Sequence, residues 1–374
     1  MKALAIVQGL GHVCARYRIE PFGWFLHERG ISLELAPLAR GTLKRLAQFR
    51  RARAYDVVIL QRKCLPIWQL AYLRRQSNRL IYDVDDALFE RDSYHRKSTE
   101  SWTRLARFWT TVYAADAVTA GNGYLADRVA GYVGRDKVQL MPTCIEPSRY
   151  SLARHQGTGR DAKLVWIGQR STLASLDHAS RQMQAIARKL PGMTFRVICD
   201  HSPTIDGLRI ETCRWSTGSE AADLAGADIG INWLPDDSWS RGKCGLRVLQ
   251  YMAAGLPIVA NPVGMNCEMV IDGRTGLLAS TPDEWAEAVA RLAADPALRR
   301  RLGQAGRQLV EQRFSVDAWG PQFARTVVDA VHHGCPKLHD VWLGHRETVP
   351  QKSSDSPSPS QLVDSQEREG MPSE

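Results

Sequence analysis

Residues 241–264 read RGKCGLRVLQYMAAGLPIVANPVG, and a second glycine loop, DGRTG, follows at 272–276. The pattern predicts a basic glycine loop, a short helix that ends at Gly255, and then a strand buried on both faces. Gly242 and Gly245 let backbone N–H groups approach an anion, and the helix directs the positive end of its dipole to the same place. Lys243 adds a mobile positive charge. Such a loop at the carboxyl end of a parallel sheet is the expected place for a nucleotide.

Strand and helix patterns alternate along the rest of the chain, which indicates parallel α/β sheets. Strands are predicted at 3–7, 57–60, 80–82, 117–119 and 138–140, and, after a polar break at 155–161, at 164–167, 195–198, 229–231 and 258–259. Two such series predict two Rossmann-like domains, residues 1–152 and 160–333, that face one another across a cleft. The second ends in helices, one of which opens with a capping box at residues 281–284. Residues 350–374 are rich in Ser, Pro, Gln and Glu, which predicts a disordered tail.

Composition is that of a soluble globular protein, with 44% hydrophobic and 24% charged residues. No run approaches the ~18 apolar residues of a membrane span. The eight cysteines form no CxxC pair, so free thiols in a reducing cytosol are expected. The net charge of +9 comes from residues 1–150, which hold 24 Lys and Arg against 14 Asp and Glu. An anionic ligand or surface therefore suits the first domain, whereas no helix-turn-helix, RNP or zinc-finger signature indicates nucleic acid.

The segment 40–54 places six basic residues around Leu43, Leu46 and Phe49. A basic amphipathic helix suits an anionic membrane surface or a lipid-diphosphate acceptor. An ordinary solvated helix face explains the same pattern, and the sequence leaves both interpretations open.

Residues 242–259 resemble the donor-site core of retaining GT-B glycosyltransferases, in particular family 4 (glycosyl transferases group 1). The match consists of Gly245-Leu246 and the run from Tyr251 to Val259. The family has two glutamates eight positions apart, and this chain has Gly242 and Gln250 there. In the family the second glutamate holds the ribose hydroxyls, a role that the amide oxygen of Gln250 can take over.

The resemblance implies that the first domain binds the acceptor and the second a nucleotide-diphosphate sugar. It implies retention of anomeric configuration without a metal or other cofactor, with the departing diphosphate receiving the acceptor proton. Family members clamp the diphosphate with a Gly-Arg and a lysine five residues on. Here Gly168 and Arg170 match the first pair, Ser175 stands at the lysine position, and Lys243 is expected to supply the missing charge. A solvated loop arginine is the alternative for Arg170.

Two groups of residues are predicted for the acceptor side. The turn Gly9-x-Gly11 with Arg16 and Arg18 is expected to line the cleft, although the same turn fits a structural role or an NAD fingerprint whose third glycine is replaced by a cysteine. Asp85 and Asp86 follow a strand, where they are expected to orient or deprotonate an acceptor hydroxyl. Helix capping and the metal-binding Asp-x-Asp of GT-A enzymes are alternatives for this acidic run.

Further contacts to the donor are expected from the loops after the next strands. Trp233 or Trp239 is placed to stack on the base or to pack in the core. Gly264 and Glu268 are expected to face the cleft, with Glu268 bonding a donor-sugar hydroxyl in place of the lost carboxylate.

The sequence as a whole predicts a glycosyltransferase that moves a sugar from a nucleotide-diphosphate donor to a glycan or lipid-linked acceptor in cell-surface polysaccharide biosynthesis. We expect it in the cytoplasm, at the inner face of the membrane. An NAD-dependent oxidoreductase and a nonhydrolytic nucleotide-sugar epimerase of the same fold are the alternatives.

Overall fold

The computed structural model describes residues 1–94 and 98–333. Two six-stranded sheets form its framework, ordered β2-β1-β3-β4-β5-β6 and β12-β11-β10-β7-β8-β9, and all strand pairs are parallel. The strands are β1 Lys2–Val7, β2 Ser32–Pro37, β3 Val57–Gln61, β4 Leu80–Val84, β5 Ala117–Ala120, β6 Val138–Leu140, β7 Leu164–Ile167, β8 Thr194–Ile198, β9 Arg209–Cys213, β10 Ile229–Asn232, β11 Ile258–Ala260 and β12 Gly276–Leu278. The predicted fold class, with two Rossmann-like parallel sheets, is confirmed.

Helices connect the strands and cover both faces of each sheet. They are α1 Val13–Arg18, α2 Gly23–His27, α3 Thr42–Arg51, α4 Ile67–Gln76, α5 Trp102–Ala114, α6 Gly123–Val133, α7 Arg170–His178, α8 Ser180–Lys189, α9 Glu220–Ala225, α10 Ser238–Arg241, α11 Leu246–Ala253, α12 Met265–Met269, α13 Pro282–Ala294, α14 Pro296–Arg313 and α15 Val316–His333. The predicted capping box is present, with Pro282 in the first turn of α13.

The last helix returns to the first sheet. The side chains of Val316, Phe323 and Val327 belong to the same apolar core as β1, and Phe323 stacks on Phe22 with ring centroids 4.6 Å apart. The sequence-based boundary assigned residues up to 333 to the second domain, whereas α15 packs on the first. The predicted disordered tail, 350–374, lies outside the described residues.

Each sheet has one point where its strand order reverses, and α/β proteins bind ligands at the carboxyl ends of the strands that flank such a point. In the first sheet the reversal lies between β1 and β3, and in the second between β7 and β10. The loops after these four strands begin near Gln8, Arg62, Gly168 and Asn232, and all four residues line one cleft. The topology alone therefore places the site between the sheets.

A buried ion pair fixes α1 against the carboxyl end of β4. Arg18 Nη2 lies 2.6 Å from Asp83 Oδ1 and Arg18 Nε lies 2.9 Å from Oδ2. Thr119 Oγ1 also donates to Asp83 Oδ1, at 2.7 Å, and Arg18 Nη1 donates to the carbonyl of Met141. Both charged side chains are almost fully buried. The pair is thus surrounded by the hydrogen bonds that a buried charge requires.

We expect Asp83→Ala to lower the free energy of unfolding by about 3–5 kcal/mol, because it leaves the Arg18 charge buried without its partner. Asp127→Ala is the matched control, since it removes the exposed ion pair with Arg135, and exposed pairs contribute only about 0–1 kcal/mol. Urea unfolding of the three proteins measures both effects. Equal losses in the two variants would contradict a structural role for the buried pair.

Candidate active site in the interdomain cleft

The cleft between the two sheets has a volume of about 530 Å³ and receives side chains from both. Of the residues predicted from the sequence, nine line it: Arg18, Asp85, Asp86, Gly168, Trp239, Lys243, Gly245, Leu246 and Gln250. Eight do not: Gly9, Gly11, Arg16, Arg170, Trp233, Gly242, Gly264 and Glu268. Among the described residues no group of three His, Cys, Asp or Glu side chains has the arrangement of a metal site.

Two buried aspartates form the acidic centre of the cleft. Arg62, at the end of β3, reaches Asp85 Oδ1 with Nη1 at 3.0 Å and Asp86 Oδ2 with Nη2 at 2.6 Å. Lys243 Nζ approaches Asp86 Oδ2 from the second domain at 3.0 Å. Arg62 has a φ of +58°, a conformation that is unfavourable for a residue with a side chain. The two domains therefore share one charge network.

Protonation in this network is set by the arginines. Burial raises the pKa of Asp85, but Arg62 and Arg18 outweigh it, so its pKa lies below the usual range. Burial and the charge of Arg62 lower the pKa of His12. His12 Nδ1 accepts the backbone N–H of Cys14 at 3.2 Å, so the neutral ring carries its proton on Nε2. At neutral pH the acceptor side thus offers an ionised carboxylate and an uncharged imidazole.

The loop before α11 lies directly on the first domain. Lys243 Nζ is 3.4 Å from the centroid of the Trp239 ring, and Cys244 Sγ donates to the carbonyl of Asp85 at 3.1 Å. A Cβ atom at Gly242 would come within 2.8 Å of the backbone nitrogen of Ala87. Close contact between the domains therefore leaves no room for a side chain at the position of the family's first glutamate.

Arg247 occupies the reversal point of the second sheet. Its Nε donates to the carbonyl of Ile167 at 2.6 Å and its Nη1 donates to Asn232 Oδ1 at 2.7 Å. The guanidinium lies 4.5 Å from the centroid of the Trp166 ring. In the described part of the chain Arg247 pairs with no carboxylate, and burial lowers its pKa. A half-buried cation with only neutral partners in a cleft is a site for an anionic ligand.

A second polar cluster joins the domains at the edge of the cleft. The Glu220 carboxylate accepts hydrogen bonds from Tyr17 and Tyr150, each at 2.7 Å, and from Trp215 Nε1 at 2.8 Å. Gln250 Nε2 donates to the Tyr17 hydroxyl at 3.4 Å. Burial raises the pKa of Tyr17 to about 12, so its hydroxyl keeps its proton at neutral pH. Gln250 therefore completes a network whose single carboxylate is already supplied by Glu220.

Comparison with known proteins agrees with this geometry. A family model described as "Glycosyl transferase-like" matches residues 178–325. The chain is 28% identical over 221 residues to the D-inositol 3-phosphate glycosyltransferase of Actinosynnema mirum, covering 51% of this chain and 52% of that protein. It is 36% identical over 85 residues to the alpha-D-kanosaminyltransferase of Streptomyces kanamyceticus, covering 22% of each. It thus spans about half the length of the first of these relatives.

Solved structures are similar over nearly the whole described region. Anabaena HepE, solved with UDP and glucose, has a TM-score of 0.62 at 17% identity, covering 88% of this chain and 100% of HepE. Sucrose-phosphate synthase from Thermosynechococcus elongatus has a TM-score of 0.67 at 17% identity, covering 88% and 98%. The chain has the GT-B fold of these solved glycosyltransferases.

Three of the predicted donor contacts lie outside the cleft lining. Arg170 opens α7 as an exposed residue outside the cleft lining, so the structure does not bring it to Lys243 as the sequence predicts. Glu268 was expected to face the cleft, but its carboxylate is half-buried outside the lining near Arg313, and burial raises its pKa. Gly264 also lies outside the lining, and Met265 and Asn266 take its place there.

The predicted acceptor residues divide in a similar way. Gly9 and Gly11 form the turn before α1, and the neighbouring Gln8 and His12 line the cleft in their place. Arg16 is not part of the cleft lining, but it pairs with Glu220 of the other domain, which is, at 3.3 Å. Arg18 lies at the floor of the cleft with its charge satisfied by Asp83.

Sequence reasoning missed four residues of this GT-B cleft: His12, Arg62, Glu220 and Arg247. His12 directly follows the turn Gly9-x-Gly11 after the first predicted strand, and this position could have identified it. Arg247 lies at the start of the predicted motif helix, which could have identified it in the same way. Arg62 directly follows a predicted strand end, which is where α/β enzymes place functional residues. Glu220 carries no local signal, because its role depends on tyrosines 203 and 70 positions away.

We expect Gln250→Glu to destabilise the protein, although it restores the residue of the family motif. The new carboxylate would lie beside Glu220 and would find no proton from Tyr17, and leaving such a buried group unsatisfied costs about 1–3 kcal/mol. Like-charge repulsion raises the pKa of one of two neighbouring carboxylates, so the loss should shrink as the pH falls from 7 to about 5.

A double-mutant cycle provides the control for this prediction. Glu220→Gln alone should be destabilising, since Arg16 loses its partner. The double variant should lose less than the two single losses combined, because the repulsion is gone. Strictly additive losses in urea unfolding would show that the two side chains do not interact.

Proposed function

We propose that the protein transfers a glycosyl group, with retention, from a nucleoside-diphosphate sugar to a hydroxyl of a glycan or lipid-linked acceptor in cell-surface polysaccharide assembly. The observation that carries this proposal is the guanidinium of Arg247. It has no carboxylate partner among the described residues and faces, across one cleft, a neutral histidine and an ionised aspartate. One wall is thus suited to an anionic leaving group and the other to a hydroxyl.

On the donor side the diphosphate would lie at the start of α11, where Arg247 belongs to the first turn. Gly245 has a φ of +69°, which turns the backbone into that helix, and a Cβ there would collide with Met269. Negative charge that builds on the departing diphosphate would be stabilised by the guanidinium and the helix dipole. UDP in the HepE structure supports a nucleotide in a cleft of this fold.

On the acceptor side Asp85 and His12 would orient the attacking hydroxyl. A carboxylate with a lowered pKa is a weak base, so its role is to accept the hydroxyl's hydrogen bond. The bond between the sugar and the diphosphate breaks as the bond from the acceptor oxygen forms. The acceptor proton would pass to a diphosphate oxygen, as the family resemblance implies, and we propose that no metal takes part.

A dinucleotide oxidoreductase is less well supported by the first domain. The turn after β1 leads into α1, which has only six residues, and the carboxyl edge of this sheet is filled by the Arg18–Asp83 pair and the Asp85–Arg62 network. A nonhydrolytic epimerase would use the same donor wall and is separated from a transferase only by its product.

We also propose that the protein works at the inner face of the membrane, where a lipid-linked acceptor would be available. Among the described residues, no helix combines the length and the apolar character that a membrane crossing requires. Attachment would therefore have to come from the surface of the described domains or from another source.

Arg247→Ala should weaken UDP or GDP binding by about tenfold or more, because a charge-assisted hydrogen bond contributes about 1.5–3 kcal/mol. Arg170→Ala is the matched control and should bind within about twofold of the parent, since that arginine is exposed outside the cleft. Isothermal titration calorimetry measures both. A loss in Arg170→Ala with none in Arg247→Ala would return the diphosphate to the site predicted from the sequence.

The reaction itself is tested by incubating the protein with UDP- and GDP-sugars and following nucleoside-diphosphate release. We expect release that persists in EDTA, a product with the anomeric configuration of the donor by NMR, and no thermal stabilisation by NAD. An inverted product, dependence on a divalent cation, or a free epimerised sugar with no transfer would each contradict part of the proposal.

A further inference from the structure

Four cations gather beside the cleft on the first domain, and none of them forms an ion pair with a carboxylate of the described residues. We call Arg45, Lys63, Arg104 and Arg107 the basic rim. Burial raises the pKa of the Cys64 thiol, and the charges of Lys63, Arg104 and Arg107 are close enough to lower it in part. Burial is the largest cause of the lowered pKa of Lys63, and the charges of Arg62 and Arg45 lower it further. Arg45 of α3 donates to Gln69 of α4, Lys63 lies in the loop before α4, and α5, which carries Arg104 and Arg107, shares a core with α4, so the four lie on one side of the first domain.

The rim's hydrogen bonds are all to neutral groups. Arg45 Nη1 donates to Gln69 Oε1 at 2.8 Å and Nε to the carbonyl of Ala39, while Arg104 Nη1 donates to the carbonyl of Glu90. The carboxylate of Glu90 accepts instead from Ser238 of the second domain. None of the four rim residues forms an ion pair within residues 1–94 and 98–333. Like charges held together in this way are balanced only when an anionic partner is present.

Exposed apolar side chains border the same patch. We call Leu43, Ile67, Trp68 and Trp102 the apolar fringe, and their exposed fractions are 82%, 55%, 54% and 84%. Each lies in the first turn of α3, α4 or α5. In a parallel sheet these turns follow the carboxyl ends of the strands, so the fringe lies along the edge of the first sheet that faces the cleft mouth. Arg104 belongs to both the basic rim and the cleft, because its side chain also lines the cleft.

The structure narrows the amphipathic-helix hypothesis for residues 40–54 to the start of α3. Phe49 of α3 is fully buried in the core, and Arg51 pairs with Glu34 at 2.9 Å. Phe49 is therefore not available to a lipid surface, and of this apolar stripe Leu43, in the first turn of α3, is the exposed member. The surface with both free charge and exposed aromatic rings is the edge made by the starts of three helices.

We propose that the basic rim and the apolar fringe together dock the protein on an anionic lipid bilayer. This deepens the proposed function, because it would present the cleft mouth to an acceptor held in the membrane. Tryptophan rings prefer the interface between headgroups and acyl chains, and lysine and arginine are attracted to anionic headgroups. A soluble polyanion would satisfy the rim but would leave the two exposed tryptophans without a partner.

Sedimentation with vesicles tests the docking surface. The full chain should bind phosphatidylcholine vesicles that contain phosphatidylglycerol and should bind pure phosphatidylcholine weakly. Lys63→Glu/Arg107→Glu should weaken binding by about 25-fold or more, at about fivefold for each lost cation. Trp68→Ala/Trp102→Ala should weaken binding while leaving its salt dependence unchanged, since the charges remain. Neither pair lines the cleft, so nucleotide binding should match the parent.

Arg188→Glu/Arg301→Glu is the matched charge reversal on exposed positions of the second domain, and it should sediment like the parent. Equal loss in both charge variants would show that net charge and not the rim drives binding, and would overturn the proposal. Unchanged binding after loss of both tryptophans would overturn the role of the fringe. Failure of the parent to bind any vesicle, with rim-dependent binding of heparin, would assign the rim to a polyanionic acceptor.

The two proposals fail separately. Vesicle binding that depends on the rim, in a protein that binds no nucleoside diphosphate, would leave the docking surface standing and remove the transferase. Nucleotide binding without vesicle binding would do the reverse.

Discussion

The arrangement of the cleft depends on how three aspartates at the end of β4 are neutralised. Asp83, Asp85 and Asp86 are all buried, and three carboxylates so close together are stable only with cations at hydrogen-bond distance. Arg18 comes from α1, Arg62 from the end of β3 and Lys243 from the second domain. The second domain thus supplies one of the cations that neutralise the aspartates of the first. The electrostatics of the site therefore depend on close contact between the two domains.

This constraint explains both departures from the family motif. Lys243 reaches Asp86 only if the loop before α11 lies against Ala87, and at that distance Gly242 has no space for a glutamate side chain. Gln250 lies next to Tyr17, whose hydroxyl already donates to Glu220. A neutral amide can donate into that network, whereas a carboxylate cannot. The two lost acids are therefore consistent with a closely packed interface and a carboxylate supplied by α9.

The fold could be predicted from the sequence to the extent that strands are buried on both faces. β1, β3, β4 and β7 are continuous apolar runs and were predicted to within one or two residues. The three missed strands, β2, β9 and β12, all lie at sheet edges; polar residues interrupt the apolar pattern in β2 and β9, and β12 has only three residues. Edge position depends on the tertiary arrangement and leaves no periodic signal of its own.

The site could be predicted only where function depends on local backbone geometry. The glycine loop, Lys243 and the Asp85–Asp86 pair were found because they follow strands or precede the motif helix. Which cation would be neutralised could not be predicted, since Arg16, Arg18 and Arg62 meet partners 204, 65 and 23–24 positions away.

The cations of the cleft differ in whether a carboxylate neutralises them. Of the cations that line the cleft, Arg18, Arg62 and Lys243 are occupied by aspartates, and only Arg104 and Arg247 are without a carboxylate among the described residues. One belongs to each domain, so each wall retains one positive charge for an incoming anion. The cleft separates the two charges, so Arg247 lies beside the proposed nucleotide site and Arg104 belongs to the basic rim of the first domain.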